Sequence, residues 1–334
     1  MSDAQPVLHL IDAFRASKVL FTAVSLRLFD RLEPAPVSAA QLAADTATHP
    51  DALQRLLDAC VALALLARDG PLYRNLPVAS RYLRQDSPDT LAGYVLYSDR
   101  VLYRLWGNLG DAVREGSHRW EQTFGSRAGV FESLFATDQD RLTFLQGMHG
   151  MGLLSSPAVA AAFDLSRFTH FCDLGGATGH LAIAACRRYP GLRATVFDLP
   201  AVTPVAQRFI DGAGLTERIR VHPGDFFTDP FPPADLYALG RIVHDWSEPR
   251  IDLLLSKIHA ALPPAGGLLL AERLLYPFHD GPLNANLQSL NMLVVTEGKE
   301  RTAAEYEALL RRAGFRSFQA CSTGCILDAM LAIK

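Results

Sequence analysis

The stretch Phe168-Thr-His-Phe-Cys-Asp-Leu-Gly-Gly-Ala-Thr-Gly-His-Leu-Ala182 decides the fold. A short apolar run, Phe168–Leu174, carries Asp173 near its end and passes directly into Gly175-Gly-Ala-Thr-Gly179, after which a helical stretch begins. Glycine lets backbone approach a ligand closely and removes the Cβ where a positive φ is needed. Strand, glycine loop and helix in that order open a parallel βαβ unit, and open parallel sheets take their ligands at the carboxyl ends of strands. Taken alone, the same loop is also simply a tight strand–helix turn.

Downstream, further strand-like runs are Ala194–Leu199, Ile219–His222, Asp235–Leu239 and Leu268–Ala271, with helical stretches between them. That alternation predicts an α/β fold with a doubly wound parallel sheet. A last apolar run, Cys325–Ile333, follows a predicted helix at Ala303–Ala313 that stops at Gly314. The second run ends in Val196-Phe-Asp-Leu-Pro200, which places Asp198 about one βαβ unit after Asp173, where a carboxylate can accept from ribose hydroxyls. The third leads to Gly224-Asp225-Phe226-Phe227, a carboxylate for the amino edge of an adenine and a ring for its face. The glycine loop reads G-G-A-T-G and lacks the G-x-G-x-x-G of dinucleotide sites, which disfavours a pyrophosphate. A nucleoside without phosphates fits better, and this points to S-adenosylmethionine (AdoMet).

Upstream, the first ~165 residues read as helical, beginning with Ile11–Leu32. Pro34 and Pro36 break that pattern, Ser38-Ala-Ala-Gln41 resembles a capping box opening a helix at Ala39–Asp45, and Pro50-Asp51 opens another through Leu66. Asp69-Gly70 makes a turn and Leu72–Leu76 reads as a short wing strand. Helix, turn, helix and wing are the order of a winged helix, which either binds DNA or serves as a packing and dimerisation module. The charges of the would-be recognition helix, Asp51, Arg55, Asp58 and Arg68, sum to zero, whereas phosphate contacts need excess Lys and Arg.

The 334 residues carry a net charge of −3, with 49% hydrophobic and 20% charged residues, so neither disorder nor a global basic field is expected. The longest apolar run, Ala59–Ala67, falls far short of the ~20 residues that span a bilayer, and MSDAQPVLHL has no basic n-region, so neither membrane insertion nor export is expected. Five cysteines, an odd number mostly in apolar surroundings, are read as the reduced thiols of a cytoplasmic protein. Cys321 and Cys325 lack a second ligand pair, and no metal is expected.

Five motifs stand in order: DLGGATGHLA (173–182), VFDLP (196–200), GDFFTDPFP (224–232), RIVHDW (241–246) and GKERT (298–302). Together they resemble the class I AdoMet-dependent small-molecule O-methyltransferases, and most nearly the acetylserotonin (hydroxyindole) O-methyltransferase group. LYRLWGNLGDAVREG (102–116), AFDLSRF (162–168) and SLNMLVVTEGKERT (289–302) match that group as well, so the resemblance covers nearly the whole chain. It implies a helical, winged-helix-like dimerisation and substrate-pocket domain at 1–160. It also implies an AdoMet-binding Rossmann-like domain at 161–334, with a seven-stranded sheet whose last strand is antiparallel. A homodimer through the N-terminal domain is expected, with a small aromatic acceptor and no nucleic acid.

Carried over residue by residue, the resemblance makes His244 the general base, Glu300 the acid that orients it, and Glu272 a second acid beside it. Asp173, Gly175, Gly176, Asp198, Leu199, Asp225, Phe226 and Arg241 are implied at the cofactor, and Asn291 and Met292 at the acceptor. Met148, His149 and Met151, and likewise Tyr103, Trp106 and Phe124, read either as pocket lining or as core packing. Asp245 is either chemical or a helix-start charge favoured by the dipole, and Trp246 reads as core. Two departures stand out: Ala177 where a third glycine is usual, and Val295 where the group has glutamine, one turn from Asn291 on the same helix face.

A phenol of pKa near 10 is mostly protonated at neutral pH and needs a base as it attacks a sulfonium methyl group; histidine is the side chain matched to that pH. The expected function is therefore AdoMet-dependent methylation of a hydroxyl on a phenol or hydroxyindole. N- or C-methylation on the same fold, and an AdoMet-sensing DNA-binding regulator, are the alternatives.

Overall fold

The computed structural model describes residues 3–125, 135 and 137–334. The chain divides into two compact units, Met1–Tyr103 and Arg104–Lys334.

In the first unit the opening helix runs Gln5–Ser25 and does not continue to Leu32: Arg27 takes a left-handed φ of 55°, and a separate turn of helix follows at Leu28–Arg31. The break turns Leu28 and Phe29 inward, where both are fully buried. Ser38 caps the helix Ala39–Thr46 by accepting from the Gln41 N–H, but the Gln41 side chain donates to Asp45 instead of reaching back, so the capping box is half made. The helix Pro50–Ala62 ends before the predicted Leu66, because Leu66–Asp69 (β2) forms a strand. β2 pairs through the Asp69-Gly70 turn with Leu72–Asn75 (β3), the wing, and β3 pairs with Val37–Ser38 (β1), all antiparallel. Leu42, Leu57, Cys60 and Tyr73 fill the core of this module. Two of its arginines are paired: Arg55 lies 2.7 Å from Asp51 and Arg68 2.8 Å from Asp58.

The second unit contains a seven-stranded sheet. Its strands are β4 (His170–Leu174), β5 (Arg193–Asp198), β6 (Ile219–Pro223), β7 (Leu236–Gly240), β8 (Gly267–Glu272), β11 (Ser317–Cys321) and β12 (Asp328–Ile333). They lie in the order β11-β12-β8-β7-β4-β5-β6, and only β12 runs against its neighbours. Side chains on the central strands alternate between two cores: Leu236, Ala238, Leu269 and Ala271 face one, and Tyr237, Leu239, Leu268 and Leu270 the other. That is the signature of strands buried on both faces. The order reverses at β4, with β5 on one side and β7 on the other, so a crevice opens at its carboxyl end, where ligands of such sheets bind. A short parallel pair, β9 (Leu274–Leu275) with β10 (Arg301–Thr302), lies apart from the main sheet.

The helices between Arg104 and Ala161 belong with this second unit, so the structure divides near residue 103 and not at the expected 160. The helix Asp138–Ala161 explains why. It presents Gly147, Gly150, Gly152, Ser155 and Ser156, all buried, and a Cβ at Gly152 would stand 2.3 Å from the His180 ring. Small residues let this helix lie directly on the helix His180–Arg188 that follows the glycine loop.

Candidate active site

The glycine loop is built by close approach. Gly175 has a φ of 69°, and a Cβ there would meet Ile242 Cδ1 at 2.6 Å and the Phe226 ring at 3.3 Å. Gly176 sits over Asp173, whose Cγ would lie 2.8 Å from an added Cβ. Asp173 is buried, and its Oδ2 has no hydrogen-bond partner. Burial pushes its carboxyl up to about 7, the neighbouring Asp198 adding to the shift. Ala177 takes a φ of 51° where the usual third glycine would sit without strain.

At the end of β5, Asp198 accepts from Ala177 N–H at 2.8 Å and from Leu199 N–H at 2.7 Å. These backbone bonds fix both oxygens and leave each a further lone pair. Burial raises this carboxyl to about 6, those two bonds opposing it. Beyond β6, Asp225 accepts from Phe227 N–H at 2.8 Å, and the Phe226 ring packs 4.8 Å from that of Phe227 and 6.3 Å from that of Trp246. Lys257, which carried no signal in the sequence, ties this loop down by donating to the Phe226 carbonyl at 2.9 Å and the Asp229 carbonyl at 2.5 Å. A buried orphan carboxylate oxygen, two loop glycines at which a Cβ would clash, and acids at successive strand ends fit a nucleoside with a charged amino-acid tail, as AdoMet has.

After β7, Arg241 turns the chain with a φ of 57°, and the one-turn helix Val243–Asp245 presents His244. Glu272 caps that turn: its Oε1 accepts from Ile242 N–H at 3.1 Å and Val243 N–H at 2.9 Å. Glu300 arrives from elsewhere. The β9–β10 pairing sets Arg301 opposite Leu274, which delivers the residue before β10 next to the end of β8. Glu300 Oε1 then lies 2.7 Å from His244 Nδ1, and Glu272 Oε2 lies 3.3 Å from the same nitrogen. All three side chains are buried. In the neutral ring with Nδ1–H donating to Glu300, Nε2 carries the lone pair; the carboxyl of Asp245 is 3.6 Å away, beyond a hydrogen bond. Burial alone would lower the His244 pKa, but Glu272, Glu300 and Asp245 outweigh it and raise it to about 10. Burial lifts the Asp245 carboxyl to about 6 against the pull of His244.

His244, Glu272 and Glu300 are also, among the described residues, a trio whose donor atoms approach within 4.8 Å. The 2.7 Å spacing between Nδ1 and Glu300 is that of a shared proton, shorter than two ligands around a cation keep.

The residues expected at the acceptor are placed as follows. Trp106 Nε1–H donates to Asn291 Oδ1 at 2.8 Å, which brings together two residues from distant parts of the chain. Met292 and Val295 are buried on the same helix, Leu283–Val295. Val295 lies beneath Trp120, whose Nε1–H donates to the Val295 carbonyl at 2.7 Å, so the position of the missing glutamine is packed shut. Met148 Sδ lies 3.9 Å from an Arg241 nitrogen. His149, by contrast, is held by Thr178 Oγ1 at 2.8 Å and by the Phe209 ring, and serves packing. Phe124 packs on Trp120 with ring centroids 5.3 Å apart. Tyr103 closes the first unit with its ring edge-on to Phe21, 6.2 Å away, and is 39% exposed.

The O-methyltransferase domain family matches residues 106–316, and the O-methyltransferase dimerisation domain family matches residues 8–85. Acetylserotonin O-methyltransferase of Bos taurus is 42% identical over 97% of this chain and 95% of its own length. The Homo sapiens enzyme of the same name is 43% identical over the same shares. The solved structure of human N-acetylserotonin methyltransferase in complex with SAM superposes with a TM-score of 0.95 at 42% identity, covering 100% of this chain and 98% of that one.

Proposed function

Because the chain belongs to the AdoMet-dependent O-methyltransferase family, we propose that it methylates the hydroxyl of a small aromatic acceptor of the hydroxyindole type, with His244 as the general base. AdoMet supplies an electrophilic methyl group on a sulfonium. Asp198 and Asp225 would hold its ribose and adenine, Gly175 and Gly176 would admit its backbone-like tail, and Phe226 would cover the ring. His244 Nε2 takes the hydroxyl proton as the new C–O bond forms and the C–S bond breaks. Glu300 holds the imidazole by Nδ1 and stabilises the imidazolium. Alignment in such a site supplies roughly 7–11 kcal/mol of the barrier, and base catalysis a further 10²–10⁴-fold, on the order of 3–5 kcal/mol.

The observation that carries this reading is the buried His244–Glu300 pair at 2.7 Å beside the cofactor crevice. It is tested by incubating the purified chain with labelled AdoMet and a panel of phenols, hydroxyindoles (N-acetylserotonin among them) and aromatic amines. Methylation of hydroxyls that His244→Ala slows at least a hundredfold supports it; methylation confined to amines, or an unslowed variant, overturns it.

A homodimer through the first unit belongs to the same proposal. The helix Gln5–Ser25 exposes Val7, Leu8, Leu10, Ile11 and Phe14 along one stretch, and the matched dimerisation region covers the turns that follow residue 8. The paired arginines Arg55 and Arg68 support protein contacts here over phosphate contacts. Among the described residues no helix is long and apolar enough to cross a membrane. A cytoplasmic location, with Cys60, Cys172 and Cys186 as buried free thiols, completes the proposal.

A further inference from the structure

Resting on His244 as the base, we propose that Glu272 and Glu300 hold one proton between them at neutral pH: Glu272 is the neutral acid, Glu300 the anion, and the pair presents a single negative charge to the imidazole.

The hydrogen-bond accounting leads there. Two carboxyl groups address one imidazole nitrogen, which carries at most one proton. Both are buried, and each has one oxygen without a donor: Glu272 Oε2 and Glu300 Oε2. Buried acceptors are almost always satisfied, and two like charges enclosed together are penalised until one is neutralised. A proton on Glu272 Oε2 resolves both conditions. As a hydroxyl it would have Glu300 Oε2, the other oxygen without a donor, as its acceptor. Glu272 Oε1 remains a carbonyl-like acceptor for the Ile242 and Val243 N–H groups. Glu300 Oε1 continues to accept from His244 Nδ1–H. Every lone oxygen is then used.

The choice of Glu272 as the acid follows from geometry first: Glu300 makes the closer contact to His244 Nδ1, 2.7 Å against 3.3 Å, so the anion that accepts the ring N–H is Glu300. Burial drives the Glu272 carboxyl up to about 7, His244 working against the rise and Glu300 and Asp245 with it. Apart from His244, no cation figures among the groups that act on Glu272. Tyr306 is buried beside Arg301, and burial and the two carboxyls hold its pKa well above the usual value. Arg301 is buried but stands 5.9 Å over the Tyr306 ring and donates to the Lys299 carbonyl. Arg241 acts on Asp245.

The consequence for the base is direct. Of the three carboxyls that keep a proton on His244, Glu272 exerts the largest single charge effect, with Glu300 adding a hydrogen bond to its own. Neutralising it frees the ring to be a base near neutral pH, while Glu300 retains enough charge to stabilise the imidazolium once the acceptor's proton arrives. Glu272 is on this account a positioning residue: it caps the His244 turn and supports Glu300 without touching substrate.

Infrared difference spectroscopy of the full chain at pH 7, wild type against Glu272→Gln, tests the proton without reference to any acceptor. A carboxylic-acid C=O component lost in the variant supports the proposal; loss of a carboxylate component instead overturns it. Kinetics with an accepted hydroxyindole give the second arm. Glu272→Ala is expected to lower kcat by about 10²-fold, and Glu272→Gln, which mimics the neutral acid, to recover to within about tenfold of wild type with the acid limb of kcat/KM in place. A Gln variant as slow as Ala, or an acid limb displaced downward by about one pH unit, overturns it. If His244→Ala is unslowed, the base assignment fails, whatever the infrared band shows.

Discussion

Gly298 lies so close to His244 that a Cβ on it would stand 2.1 Å from the His244 carbonyl oxygen and 2.8 Å from the carbonyl carbon of Asp245. The atoms it would strike are backbone, which cannot swing aside. The segment is tied to the chain after His244 by Ser247 N–H, which donates to Glu297 at 3.2 Å, and Gly298 N–H makes a local bond to Thr296 Oγ1 at 3.3 Å. Gly298 therefore sets how near Glu300, two residues on, comes to His244. Gly298→Ala is expected to push the two segments apart, weaken the 2.7 Å contact and lower kcat by about 10–100-fold, with a stability loss of about 1–3 kcal/mol. Steady-state rates and thermal melts check both; an unaltered kcat in a folded variant would show that the contact survives the wedge.

With Asp198 proposed at the ribose, cofactor binding is expected to depend on pH. The ionised form of Asp198 can accept from two hydroxyls, and burial places its titration at about 6. Affinity for AdoMet should fall as pH drops through that value, because the protonated acid loses acceptor capacity and charge. Asp198→Asn should weaken binding about 10–100-fold, the worth of a charged hydrogen bond, and flatten the profile. Calorimetric titration with AdoMet between pH 5 and 8 decides it: a wild-type affinity that is flat across this range removes Asp198 from the binding site.

The parts legible in the sequence were those governed by local rules. Strand periodicity and the glycine loop gave β4 to β8 to within a residue or two. His244 stood out because Asp245-Trp246 follows it at the end of an apolar strand. What local rules miss is what the fold brings from far away. Glu300 reaches His244 only through the two-residue pairing of β9 and β10, and no pattern announces strands that short. Ser317–Cys321 gives no strand signal in the sequence, because it is an edge strand with a largely exposed, unalternating side-chain pattern. The break at Arg27 was hidden since its left-handed turn is made by a residue that does not advertise it. The boundary near 103 depends on Gly152 accepting the His180 ring, a contact between helices rather than a feature of either.

Trp106 fixes the orientation of Asn291. An indole N–H is a donor only, so the 2.8 Å contact commits the amide oxygen and turns the NH₂ the other way. With Val295 packed beneath Trp120, a hydrogen bond from this helix face to an acceptor molecule would come from that NH₂. Trp106→Phe keeps most of the apolar wall and releases the amide. KM for the aromatic acceptor should rise about fivefold, near 1 kcal/mol, with kcat and AdoMet affinity little altered. A fall in kcat at constant KM would place Trp106 in alignment of the reacting atoms instead.

His149 and His180 make the seating of the Asp138–Ala161 helix sensitive to acid. His149 bonds Thr178 and stacks on Phe209 with centroids 3.9 Å apart; His180 bonds Ser156 at 2.8 Å. Burial pushes His149 down to about 4 and His180 to about 3, the latter helped by His149 and Arg241. Both folded pKa values lie below the unfolded value, so the unfolded chain takes up protons first as pH falls through about 6.5, and the stability these residues contribute is lost from there down to about 4. Asp173, Asp198, Glu272 and Asp245 shift the opposite way and oppose the loss, so the whole-protein curve is a sum of both. The clean measurement is a difference: melting temperatures of wild type and His149→Gln from pH 4.5 to 7.5. The neutral variant should be less stable near pH 7, where it loses the ring stack, and the gap should narrow or reverse toward pH 4.5 by about 2–3 kcal/mol. A gap that stays constant with pH would mean that His149 does not titrate between the two states.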